Sequence, residues 1–223
     1  MAKRIKNNLA VKVYASIKQD IFEFRLLPGQ RFTEAEVAAR TKVSRTPVRE
    51  ALHKLEREGY LQVSSRNGWN VKPFDFEFYN HLYDLRMILE TTAVKRICAM
   101  QPLPDFAELQ AAWLVPVKKR VKDGWDAAQL DEQFHESLVR AAGNPEIARV
   151  YHDVSERIRI IRRLDFTHPD RIAATYEEHA KILSAILARR AAHAILLLKS
   201  HIETSQTEVR KITLHKLQTA QRG

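Results

Sequence analysis

Apolar residues in the first third of the chain recur at helical spacing. Ala10, Val13, Tyr14, Ile17, Ile21 and Phe24 form one stripe, which Leu27-Pro28-Gly29 closes. Thr33 and Glu36 have capping-box spacing ahead of Val37, Ala38 and Ala39, so a short second helix is predicted from Thr33. After a turn at Thr41-Lys42-Val43-Ser44, Ser44 or Thr46 caps a third helix. Pro47 suits its first turn, Val48, Leu52 and Leu55 are its buried stripe, and Gly59 is its stop. Two short apolar runs follow, Leu61-Gln62-Val63 and Trp69-Asn70-Val71, joined through an Asn67-Gly68 turn signal.

The pattern then changes. Lys72 to Asp75 reads as a linker, with Asp75 placed to cap the next helix. Phe78, Leu82, Leu85, Leu89, Ala93 and Ile97 step by three and four residues, with Tyr79, Tyr83, Arg86 and Glu90 running alongside. Asp105 precedes a helix with Phe106, Leu109 and Trp113, which Pro116 is expected to kink. Further helices are predicted from Asp126 to Ala141, from Pro145 through Ile161, from about Arg171 to Ala188 and from about Ala191 to Leu217. No alternating strand pattern occurs here. The expected architecture is mainly α: a winged helix-turn-helix over residues 1–75 and an all-α antiparallel helical bundle over residues 76–223.

Composition adds a partner class. The net charge is +10, and residues 1–75 carry +7 of it. A small basic unit joined to a near-neutral one suggests polyanion binding. Winged folds set the second helix of the turn into the major groove. Ser44, Arg45, Thr46 and Arg49 begin the exposed side of that helix and suit phosphate and guanine contacts. The single cysteine excludes an intrachain disulfide, the N-terminus has no secretory h-region, and the Ala194–Leu198 apolar run is far short of the ~20 residues of a membrane span. The expectation is a cytoplasmic protein with no membrane partner.

Polar residues on the helices of the second half form a second candidate site. Asp131 and His135 share a face at i and i+4, and His179 and His201 lie on two further helices. Three imidazoles and one carboxylate make an N3O set suited to Zn, Ni, Mn or Fe rather than Ca or Mg. The alternative is a buried, hydrogen-bonded polar network. A hydrolytic metalloenzyme is a rival class, but the chain has no His-Glu-x-x-His and no assigned general base.

Two family resemblances cover nearly the whole chain. Leu27-Pro28-Gly29, Glu34-x-x-Val37-Ala38 and Val43-Ser44-Arg45-Thr46-Pro47-Val48-Arg49-Glu50-Ala51-Leu52 resemble the DNA-binding domain of the GntR family of bacterial transcription regulators. The resemblance implies operator contacts from Ser44, Arg45, Thr46 and Arg49, and from the wing around Arg66 and Gly68. The family usually has Gly at the positions of Phe24 and Lys42, and some members have Arg where this chain has Ala35, so no base contact is assigned there. Asp131-x-x-x-His135, Gly143-Asn144-Pro145, Glu178-His179-x-x-Ile182 and His201-Ile202 resemble the FCD effector domain of FadR-type members, in its metal-binding branch. That resemblance implies a divalent transition metal, zinc first, on Asp131, His135, His179 and His201. It also implies a small organic-acid effector paired with Arg86, whose other partner in reach is Glu90 as a surface pair. Arg157 and Arg162 follow the domain's arginine pattern, and His152 and His193 are read as core or surface histidines. The combined reading is a homodimeric regulator of double-stranded operator DNA, a repressor, at the nucleoid when DNA-bound. A metal-ion sensor is the closest alternative.

Overall fold

The computed structural model describes residues 2–22, 25–64, 68–73 and 75–220. The chain divides into two compact units, the second spanning Phe76–Gln218.

The first unit runs α1 (Ala2–Phe22), β1 (Arg31–Thr33), α2 (Glu34–Thr41), α3 (Arg45–Arg57), β2 (Leu61–Ser64) and β3 (Gly68–Val71). Val13, Ile17 and Ile21 of α1 bury against α3, whose Val48, Leu52 and Leu55 are fully enclosed. The Thr33–Glu36 capping box is present, with both reciprocal bonds made. Ser44 occupies the cap of α3, but its side chain makes no capping bond, which leaves the hydroxyl facing outward. α2 ends at Lys42, whose φ of 55° puts a lysine in the left-handed region that favours glycine. Phe24 and Arg66 lie outside the described residues.

The sheet has three antiparallel strands in the order β1-β3-β2, one more than the hairpin expected. β1 pairs Phe32 with Trp69, so the wing strand β3 is held on both sides. Three residues with one apolar position carry no alternation signal, and the pairing is non-local, so β1 was invisible to periodicity.

The second unit is α4 (Phe76–Ala99), α5 (Ala107–Trp113), α6 (Gly124–Ala141), α7 (Pro145–Asp165), α8 (Pro169–Leu187) and α9 (Ala191–Ala220), with a 3-10 turn at Val117–Lys119. α4 packs on α6, α7 and α8, and α6 on α7 and α8, while α5 covers α8. Pro116 starts the 3-10 turn after α5 has ended and kinks nothing. α6 begins two residues earlier than expected, capped by Asp123, whose Oδ1 accepts the Trp125 and Asp126 N–H groups. Gly124 is needed there because a Cβ would sit 2.3 Å from the Phe166 carbonyl oxygen. α4 buries both stripes in part, including Leu82, Ala93 and Ile97 of the first. Leu85 is exposed, whereas Tyr83, Arg86 and Glu90 of the second stripe are buried. No helix among the described residues is long and apolar enough to cross a membrane.

Candidate metal centre and nucleic-acid interface

On the first unit, Ser44, Arg45, Thr46 and Arg49 are all exposed on the leading turns of α3, opposite the buried Pro47, Val48, Ala51 and Leu52. Gly68 sits in β3, paired with Thr33 of β1 and Ser64 of β2. Arg49 is not a free side chain. Its Nε donates to the Glu34 carboxylate at 2.9 and 3.2 Å, and its Nη2 donates at 2.9 Å.

On the second unit, α6 supplies Asp131 and His135, α8 supplies His179 and α9 supplies His201. All four are buried, and one ligand atom from each lies within 4.8 Å of the others. The Nε2 atoms of His135 and His201 are 3.2 Å apart, and those of His179 and His201 3.3 Å. Asp131 Oδ1 is 3.5 Å from His135 Nε2, 3.4 Å from His179 Nε2 and 3.9 Å from His201 Nε2. Ligand bonds of ~2.0–2.2 Å give donor separations of this size.

The surroundings decide what these nitrogens are. His135 Nδ1 lies 2.6 Å from Glu90 Oε2, and His201 Nδ1 lies 2.6 Å from Glu178 Oε2. A carboxylate at Nδ1 takes the ring proton there and leaves Nε2 as a bare lone pair. Two such lone pairs face each other across 3.2 Å, which is repulsive unless a cation lies between them. The donor set therefore fits a transition-metal ion better than a self-satisfied network. Burial pushes the His201 imidazole down to about 4 against the pull of Glu178. Burial, with His201 and His135 adding to it, holds His179 well below its ordinary value. Both rings are thereby neutral near pH 7, the form that binds metal.

The carboxylates are held by buried arginines. Arg162 Nη2 donates to Asp131 Oδ2 at 2.5 Å, and Arg86 Nε to Glu90 Oε1 at 2.6 Å. The Tyr151 hydroxyl donates to the same Glu90 oxygen at 3.0 Å. Burial raises the Glu90 carboxyl, but Arg86 and His135 outweigh it and hold the group far below the ordinary range. Arg162 and the histidines do the same for Asp131, again against burial. Arg171 spans Asp165 and Glu178 behind His201. His179 is instead fixed by rings: it stacks on Phe134 at 3.9 Å and meets Trp113 edge-on at 4.2 Å.

The Arg86–Glu90 pair is buried, each side chain only 1% exposed, so the alternative of a surface pair does not hold. Arg86 keeps one buried Nη2 without a partner, and Arg162 one Nη1. Arg162 faces the centre and Arg157 is exposed, as are His152 and His193. Sequence reasoning missed Glu90 and Glu178 as partners of the ligands. The signal for Glu90 was its phase with the buried Tyr83 and Arg86.

Comparison with known proteins gives the family of each unit. Residues 9–71 match the bacterial regulatory proteins of the gntR family, and residues 81–204 match the FCD domain. The chain belongs to the GntR family, with a C-terminal FCD domain. It is 31% identical over 191 residues to the Nta operon transcriptional regulator of Aminobacter aminovorans, spanning 86% of this chain and 89% of the relative. The HTH-type transcriptional repressor RspR of Escherichia coli is 24% identical, over 90% and 89% of the two chains. A putative GntR regulator from Rhodococcus sp. RHA1 shares the fold at a TM-score of 0.69 and 21% identity, over 91% and 97% of the two chains. This GntR protein is thus a transcriptional regulator with a DNA-binding domain and an effector domain.

Proposed function

We propose that this GntR protein is a cytoplasmic, homodimeric repressor that releases operator DNA when a small carboxylate binds beside a metal in its FCD domain. The observation that carries the reading is the convergence of three imidazole Nε2 atoms and Asp131 Oδ1, with the Nδ1 atoms of His135 and His201 already taken by carboxylates. Asp131, His135, His179 and His201 would hold Zn, Ni, Mn or Fe, which supplies a Lewis-acidic position for a ligand oxygen. Arg86 supports the effector assignment through its unpartnered Nη2, a donor already buried and charged. Ser44, Arg45, Thr46, Arg49 and the wing with Arg66 and Gly68 would contact the operator. Repression is supported by the name of the RspR relative, and dimerisation by the half-site geometry of helix-turn-helix readers.

The test begins with elemental analysis after dialysis against Zn, Ni or Mn. One equivalent per chain is expected for the parent and none for His179→Ala. A panel of small carboxylic acids should then raise the melting temperature of the metal-loaded parent but not of Arg86→Ala, and should release DNA. No stoichiometric metal in the parent overturns the site. Operator release by metal alone, with no acid, replaces the effector reading with metal sensing.

A further inference from the structure

Glu34 is the first residue of α2 and lies outside the segment assigned to DNA contact. Its carboxylate is 14% exposed and takes three hydrogen bonds from Arg49, which is 60% exposed on the recognition helix. The Arg49 hydrogen bonds lower the Glu34 carboxyl against the cost of burial, with Trp69 of the wing strand β3 adding to the effect. Glu34 is fixed in turn: Thr33 beside it is the cap of α2 and pairs with Gly68 of β3. One carboxylate thus ties Arg49 to the scaffold that joins α2 to the wing.

Which edge of the guanidinium is used matters. A guanidinium offers five N–H donors in a fixed plane. Glu34 occupies the edge formed by Nε and Nη2. The remaining edge, Nη1 with the outer hydrogen of Nη2, is the fork that matches O6 and N7 of guanine. The pairing also cancels the charge that would draw Arg49 toward any nearby phosphate.

We propose that Glu34 is a positioning residue for sequence readout: it buttresses Arg49 so that the arginine reads a guanine in the major groove instead of wandering to the backbone. The proposal rests on the reading of Arg49 as a base contact. A freed Arg49 gains phosphate contacts and loses base discrimination, so Glu34 exchanges nonspecific affinity for specificity.

The experiment selects a binding site from a randomised duplex library with the full-length protein. It then measures binding of parent, Glu34→Gln, Arg49→Ala and the double variant to that site, to single-base-pair variants and to a scrambled duplex, across a salt series. For Glu34→Gln, the specific-to-scrambled affinity ratio should fall roughly 10-fold, with discrimination lost at one G·C pair per half-site. Its salt slope on scrambled DNA should steepen by up to about one released ion. Arg49→Ala should cost less specificity in the Glu34→Gln background than in the parent. Parental specificity and salt slope in Glu34→Gln, with weakened operator binding by Arg49→Ala, overturns the buttress alone. Parental binding by Arg49→Ala overturns the base contact itself. If Glu34→Gln melts early, Glu34→Asp replaces it, and a parental specificity ratio there overturns the buttress as well.

Discussion

Arg49 meets Glu34 with its side chain 60% exposed, whereas Arg86 meets Glu90 with both side chains 1% exposed. Both are arginine–glutamate pairs made through Nε, but Arg49 adds Nη2 whereas Arg86 keeps its Nη2 unpartnered, and the two act differently. Water and salt screen the first, so it contributes little to folding and leaves the other edge of Arg49 open to DNA. The second lies where the charges cannot be resolvated, so each group depends on the other being present. The same kind of pair is a positioning device at the surface and a structural commitment in the core. The commitment extends from Arg162 through Asp131 to the histidines, and from Arg86 through Glu90 to His135.

The largest effect that this contrast predicts is at Asp131. Asp131→Ala leaves Arg162 buried with no counter-charge and should cost about 3–5 kcal/mol in urea unfolding of the metal-free protein. Adding Arg162→Met should restore much of that loss, because no unpaired charge remains. A loss below about 1 kcal/mol for the single variant would remove the distinction between the two regions.

A middle-sized effect is the pH dependence of the metal-free protein. His201 titrates at about 4 in the fold against 6.5 for an ordinary histidine, and His179 is lowered in the same direction. Between these values the unfolded chain takes up protons that the folded one refuses, so stability should fall as pH drops from about 6.5 toward 4. Glu90 and Asp131 are ionised below the ordinary carboxylate range and extend the loss to lower pH. Urea midpoints that stay flat from pH 7 to 4.5 would contradict the buried, neutral histidines.

The smallest effect is on the exposed side. Arg49→Ala should leave the melting temperature unchanged while weakening operator binding roughly 10-fold. A clear drop in melting temperature would mean that the surface fork is structural after all, and would bring the two regions together.

Much of this molecule was legible from spacing. The capping box at Thr33 and Glu36 and the left-handed stop at Gly59 lie where residue types put them. The candidate ligand cluster was legible because His135 follows Asp131 by one helical turn and His179 and His201 lie on two further helices. What was missed follows one rule. Glu178 precedes His179, and adjacent helix positions diverge; the carboxylate nonetheless reaches His201 on α9, 23 residues away. Leu85 was placed inside because it was apolar, but α4 turns its tyrosine, arginine and glutamate inward to face charges on α6 and α7.

The sequence by itself determined which residues could be helical, where most helices begin and end, the basic character of the first unit and the inventory of ligand types. Those properties depend on neighbours within a few residues, so local propensity and periodicity carry them. Only the tertiary structure decided the third strand of the wing, the burial of both stripes of α4 in part and the partner of each buried charge. Asp131 meets Arg162 across 31 residues and His135 meets Glu90 across 45. Periodicity states which side of a helix turns inward; it does not state what waits there, because that depends on how neighbouring helices are rotated and stacked.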